Sequence, residues 1–136
     1  MADLTQTAAN VKVKSNSNVT IVTVGEAVSA GMPGYKNTAD SNKYYKAITT
    51  NATTALAAGI FMTSAATAGS AVFLTAGDCD LGATLVIGET YFVSNTTGKI
   101  MPSADVSTGE FVTSLGTATA ADNFPLSIQA SGIARA

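Results

Sequence analysis

Residues 31–48 read GMPGYKNTADSNKYYKAI, and residues 88–104 read GETYFVSNTTGKIMPSA. Both begin at a glycine, run into an aromatic stretch, turn on small polar residues and restart at a lysine followed by an apolar residue. Gly31 aligns with Gly88, Tyr35 with Tyr91, Lys43 with Lys99 and Ala47 with Ser103. Further on, AVFLTAG (71–77) aligns with PLSIQASG (125–132), so that Gly77 meets Gly132. The offset drifts between 55 and 57 residues, as a duplication with small insertions would produce. Each copy reads as a hairpin followed by further strands. A repeat of this kind is one supersecondary unit that buries its apolar face against its neighbour. The sequence therefore predicts two tandem β-modules, 25–77 and 84–134, with the hairpin at 35–46 superposing on that at 91–101.

Outward from the repeat, the same period-two grammar continues. VKVK (11–14) alternates apolar and basic residues, the pattern of a half-exposed strand. VTIVTV (19–24) is a dense β-branched run. The Ser15-Asn16-Ser17-Asn18 cluster between them predicts a hairpin. IFMTS (60–64) and AVFLTAG (71–77) read as strands joined by a small-residue turn. TLVIG (84–88), TYFVS (90–94) and KIM (99–101) read as strands, with Gly98 in a turn that needs positive φ. EFVTSLGTAT (110–119) places Phe111, Thr113 and Leu115 on one side. PLSIQASGIA (125–134) does the same with Leu126, Ile128 and Ala130. Only NATTALAAG (51–59) has helical character, and its length supports a single turn capped by Asn51. Short strands at even spacing predict an all-β fold, a small sandwich or barrel. Residues 1–18 form an N-terminal arm and first strand, and 19–136 the β-domain. The arm 1–10 lacks periodicity and is expected to be disordered alone or ordered on a partner.

Composition narrows the function. Among 136 residues only 12% are charged, the net charge is −2, and there is no His and no Trp. An average soluble domain carries about twice that charged fraction. Such a surface offers no electrostatic footprint for nucleic acid. Without His, imidazole base catalysis and most zinc sites are excluded. Arg135 is the only arginine, so bidentate phosphate clamps are not available as a cluster. No phosphate-binding loop or dinucleotide fingerprint occurs. Cys79 is the only cysteine and cannot form an intrachain disulfide. No signal peptide is expected. Residues 47–77 carry no charge, but they are mostly Ala, Thr, Ser and Gly, and two strands fit them better than a membrane span.

Few residues invite a chemical reading. The carboxylates of Asp78 and Asp80 flank Cys79 and would share one side of an extended strand, where a hard cation could bind. The competing and favoured reading is a solvated linker between the modules. Glu26, Glu89 and Glu110 each follow a glycine, as turn residues do. Lys36, Lys43 and Lys46 cluster around the first hairpin, as edge-protecting charges do. Tyr35, Tyr44, Tyr45, Tyr91 and Phe92 could form a ligand face, with cross-strand packing the favoured alternative. The N-x-[ST] triplets at Asn18, Asn51 and Asn95 are what chance yields in so Asn- and Thr-rich a chain. No catalytic, cofactor-binding or metal-binding residue is assigned, and the chain is not expected to be an enzyme.

The stretches GEAVSAGMPGYKNTADSNKYYKA (25–47), AAGIFMTSAATAGSAVFLTAG (57–77) and GETYFVSNTTGKIMPSADVSTGEFVTSLGTATAADNFPLSIQASGIA (88–134) resemble the small capsid decoration, or cement, proteins of tailed bacteriophages. The resemblance lies in texture and rhythm over residues 20–135 and carries no site. It implies a β-rich domain on the outer capsid surface, bound to the major capsid protein and assembled as a homotrimer at threefold positions. Neither nucleic acid, membrane nor cofactor is expected as a partner. A head-fibre or tail-fibre module that binds a host receptor or glycan is the alternative, and the hairpin tyrosines would serve it.

Overall fold

The computed structural model describes residues 3–135. It is an all-β fold of two antiparallel sheets, with 46% strand and 5% helix, the latter as 3-10 turns. The strands are β1 Val11–Val13, β2 Asn18–Thr23, β3 Pro33–Asn37, β4 Lys43–Lys46, β5 Gly59–Phe61, β6 Ser70–Leu81, β7 Thr90–Val93, β8 Ile100–Pro102, β9 Phe111–Thr117, β10 Phe124–Leu126 and β11 Gln129–Ala134.

The twelve-residue β6 organises the larger sheet. Along one edge it pairs β1 (Val11 opposite Leu81) and β2 (Ile21 opposite Val72). Along the other it pairs β5 (Ile60 opposite Leu74) and β10 (Phe124 opposite Cys79). Beyond β5 lie β3 and then β4, whose hairpin sets Tyr35 opposite Tyr45. The smaller sheet runs β11-β9-β7-β8.

The β2-β6-β5-β3-β4 strip curls until its ends meet. Val24, just past β2, forms a parallel bridge with Tyr44 of β4, and the Gly25 N–H donates to the Tyr44 carbonyl at 3.0 Å. This closes a small barrel filled by Val22, Val24, Val28, Phe61, Ala71 and Phe73. Phe73 stacks at a tilt on Phe61 and Tyr44, with ring centroids 5.0 and 4.9 Å apart. Gly59 and Gly34 allow this. A Cβ on Gly59 would collide with the Leu74 carbonyl and the Phe73 ring, and one on Gly34 with the Phe61 ring. The outer face of β5 and β6 meets the second sheet. Ile60, Leu74, Cys79, Leu81, Phe124 and Leu126 pack there with Tyr91, Val93, Ile100 and Leu115.

β6 thus contributes to two cores, and a bulge reconciles them. Ala71 and Phe73 point into the barrel and Leu74 into the inter-sheet core. Register slips by one residue at Thr75, between the Asn18–Ala76 and Val19–Leu74 pairs. One extra residue moves every later side chain to the other face. The odd-numbered Cys79 and Leu81 consequently join Leu74 in the inter-sheet core.

Several expectations are corrected. VKVK and VTIVTV do not form a hairpin: β1 and β2 run in one direction along the same edge of β6, and Ser15–Ser17 is a bulging interruption with Asn16 at φ 63°. TLVIG (84–88) is a loop rather than a strand. Its Leu85 and Gly88 amides donate to the Ala121 and Ala118 carbonyls outside any ladder. The segment 125–134 is two strands that change sheets, β10 on β6 and β11 on β9. Asp78-Cys79-Asp80 lies within β6 and is no linker. At 51–59 the expected turn is present, the Asn51 side chain accepting the Thr54 N–H at 2.9 Å.

The arm expected at 1–10 is held by its own chain over the described residues. The Leu4 N–H donates to the Ile100 carbonyl at 2.7 Å and extends the β8 edge, while its side chain packs on the inter-sheet core. The Gln6 amide bridges the carbonyls of Gly31 and Leu81 at 2.9 and 3.0 Å.

The order of pairing in the two halves runs in parallel, β4-β3-β5-β6 against β8-β7-β9-β11. Gly31, Gly88, Gly77 and Gly132 all have positive φ. Register and length differ: Tyr35 faces Tyr45 whereas Tyr91 faces Pro102, and β6 has twice the length of β11.

Deleting residues 1–14 removes Leu4, Gln6 and β1 with the buried Val11. At about 1.5–3 kcal/mol for each buried aliphatic side chain, the loss should be about 3 kcal/mol or more. Urea unfolding of full-length and truncated chains measures it, and equal midpoints would refute the inward packing of the arm.

Candidate interaction surface

The residues that invited a chemical reading are distributed by the fold rather than gathered. Among the described residues no three His, Cys, Asp or Glu side chains converge on a point that could hold a metal ion. Cys79 sits fully buried in the inter-sheet core, its thiol directed at the Phe124 carbonyl 3.4 Å away. Burial, reinforced by the charges of Asp80 and Asp78, pushes its pKa up to about 12. A thiol so held is a packing group and not a nucleophile. The side chains of Asp78 and Asp80 alternate away from it, and Asp80 accepts the Gly82 N–H at 2.9 Å.

Each glutamate is tied to another part of the backbone. Glu26 accepts the Lys46 N–H at 2.9 Å and lies 3.7 Å from its ammonium group. Glu89 accepts both the hydroxyl and the N–H of Ser103, at 2.7 and 3.0 Å, and these bonds hold its carboxyl below the usual range. Glu110 is buried, accepting the Thr49 hydroxyl at 3.0 Å and the Ser107 N–H. The sequence reading that placed these acids in turns describes their surroundings, but it missed that Glu110 staples a buried junction between the halves.

The aromatic residues do not share a face. Tyr44 lines the barrel, Tyr91 packs edge-on against Phe124 between the sheets, and Tyr35 leans on Tyr45 at 6.1 Å. The Tyr45 hydroxyl is bonded to Asp40, which raises its pKa, and the Tyr91 hydroxyl accepts the Val86 N–H at 3.1 Å. The rings are thus divided between core packing and the Tyr35–Tyr45 pair on the hairpin, where Tyr45 stays half-exposed.

Beside exposed charges such as Lys12, Lys36, Lys99 and Asp122, the surface presents a set of aliphatic side chains to a partner. Val19 and Ile21 on β2 are 48% and 74% exposed, Val86 and Ile87 at one turn tip 65% and 69%, and Ile133 on β11 70%. The tip is rigidly held. Glu89 N–H donates to the Val86 carbonyl, Gly88 N–H to Ala118, and Ala118 N–H to Glu89, each at 2.9–3.0 Å. Gly88 takes φ 85°, where a side chain would strain the backbone. Single exposed aliphatics are ordinary, but two adjacent ones on a braced turn resemble an interface anchor. Two hollows of about 480 and 560 Å³ are lined mainly by Thr, Asn, Asp and Ser and contain no nucleophile beside a base. No helix among the described residues is long and apolar enough to cross a membrane.

No protein-family model, curated protein or solved structure matches the chain.

The thiol gives a pH test. In the unfolded chain it loses its proton from the ordinary value of 9.0 upward, in the folded chain only near 12. Above pH 9 the unfolded state binds fewer protons, so this contribution to stability is complete below pH 9.0 and is lost as pH rises toward about 12. Cys79→Ala should flatten that part of the stability–pH curve relative to wild type. In the native protein at pH 8, iodoacetamide should leave Cys79 unmodified until denaturant is added, and rapid native alkylation would contradict its burial.

Proposed function

We propose that the chain is a virion structural protein, a decoration or cement protein that binds the outer surface of a phage head through its major capsid protein and stabilises the shell. The observation that carries this reading is how the polar groups are used. The carboxylates of Glu26, Glu89 and Glu110 and the hydroxyls of Tyr45 and Tyr91 are occupied by internal bonds, while braced, uncharged strands and turns present Val19, Ile21, Val86, Ile87 and Ile133. That surface suits packing against another protein and offers little to a reaction, so no catalytic role is assigned. Many weakly binding copies stabilise an assembly by mass action, because each binds the assembled state alone. A homotrimer at threefold positions rests on the family resemblance. The receptor-binding alternative draws on the hairpin tyrosines, of which Tyr44 lines the barrel while Tyr45 stays half-exposed on the hairpin, so they share little common face.

The reading is tested by adding purified chain to expanded phage heads stripped of decoration protein. It should cosediment with them and raise the temperature at which they release DNA. Failure on heads together with binding to host cells or polysaccharide would favour the fibre-module alternative instead. Ile87→Lys should leave folding within about 0.5 kcal/mol of wild type, as exposed substitutions do. Should the turn be an anchor, head affinity should fall at least about tenfold. Unchanged affinity would move the contact elsewhere on the surface.

A further inference from the structure

Sheet edges are where β-proteins meet one another, and most edges here are blocked. β1 carries Lys12 and is followed by Lys14. The β8 edge is covered by the Leu4 backbone, and the outer edge of β4 turns back on Val24. β10 is three residues long and contains Pro125. β11 is bulged between Ala130 and Ala134, with Gly132 at φ 69°. Lysines, proline, bulges and covering segments are the usual protections of an edge.

β2 has none of them over Val19–Val22. Its nearest charges along the chain are Lys14 and Glu26, Lys43 of β4 adjoins its far end at the Val24–Tyr44 bridge, and its ladder to β6 is regular from Val19 to Thr23. The direction of its open hydrogen bonds follows from its end. Val24 exchanges bonds with Gly69 and Ala68 on the β6 side, both at 3.0 Å, whereas Gly25 points outward to Tyr44. By alternation Val22 and Thr20 bond toward β6, and the main-chain groups of Val19 and Ile21 face the open edge.

We propose that β2 pairs with β2 of a second copy of this chain, antiparallel across a two-fold axis at Thr20. The free stretch runs from the Ser15–Ser17 interruption to the point where Tyr44 claims the edge, and Thr20 is its midpoint. Centred there, Val19 lies opposite Ile21 of the second copy and the two exchange both main-chain bonds, giving about four bonds in all. Thr20 lies opposite itself at a non-hydrogen-bonded position, where β-carbons approach most closely. Val19 and Ile21, exposed in the single chain, meet their counterparts on one face. No like charges are brought together, which favours a second copy as the occupant of this edge. The contact is smaller than a standard interface, so the dimer is weak and concentration-dependent. It uses strand geometry alone, stands whether or not the chain binds a phage head, and is distinct from any threefold contact, since a two-fold pairing joins two copies and does not close a ring of three.

Thr20→Cys tests the axis. Under mild oxidation this variant should form a disulfide-linked dimer at least about tenfold faster than Thr23→Cys, whose thiols would lie far from the axis. Cys79 is buried and does not compete. Sedimentation of wild type with rising concentration should move toward twice the monomer mass, and Ile21→Lys should abolish that movement. Equal crosslinking rates of the two cysteine variants would overturn the proposal. So would a monomer at all concentrations, or a trimer in which Cys at position 20 does not crosslink.

Discussion

The hydrogen-bonded ladder along both edges of β6 is the constraint on which the rest of the chain depends. It ties together segments from 11–23, 59–61 and 124–126, which no local interaction would bring near each other. The side chains of this strand serve two cores, the barrel from its first half and the inter-sheet core from Leu74 onward. The bulge at Thr75 does this by changing which parity of residue faces the second sheet. Ahead of it the phenylalanine of the barrel alternates with Leu74, and after it Cys79 and Leu81 take up the inter-sheet core. Curling of the strip then places Tyr44 beside Val24, and the barrel closes on Phe73.

Much of this was legible because β-branched and aromatic runs broken by glycine have few other solutions. VTIVTV, KYYK, TYFV and FVTSLGT are all strands, and both aromatic hairpins turn where their small polar residues lie. The failures have physical causes. Alternation identifies a strand but not its partner, so β1 and β2 read as a hairpin although both answer to a strand about sixty residues away. Two aspartates in DCD argue for a loop by composition. Burial of Cys79 on one face and half-exposure of the acids on the other override it. TLVIG is apolar enough for a strand, yet Val86 and Ile87 point to solvent and the backbone bonds across a loop. A change of sheet at 127–128 leaves no mark on the apolar pattern, because Leu126 and Ile128 both touch the same core. The arm escaped detection because Leu4 and Gln6 act singly, without a period.

The site was less legible than the fold for a related reason. Spacing can suggest which titratable groups could meet, but here the tertiary arrangement sends them to separate turns. The tyrosines that looked like a ligand face divide between two cores and a hairpin, since neighbouring positions on a strand face opposite ways. Glu110 was read as one more turn acid, and its burial against Thr49 depends on a contact across 61 residues. What the sequence did carry was the scarcity of charge, a property of the surface as a whole.

That scarcity has a structural consequence. Charges at strand edges are the commonest means by which a β-protein keeps other chains off. With 12% charged residues, this chain has too few to guard every edge, and it places lysines on β1, β4 and the β3–β4 hairpin. Elsewhere backbone devices take over: the Leu4 segment on β8, Pro125 on β10, the bulge in β11. The Leu4 segment is a cover over the ladder, and the proline and the bulge are local disturbances of it. β2 cannot tolerate one at its centre, because Val22 must enter the barrel in register with Ala71 and the closure at Val24 depends on the same alternation. Regularity demanded from within leaves this strand regular on its outer side as well. The edge that remains open is therefore the one whose inner side the barrel constrains most tightly.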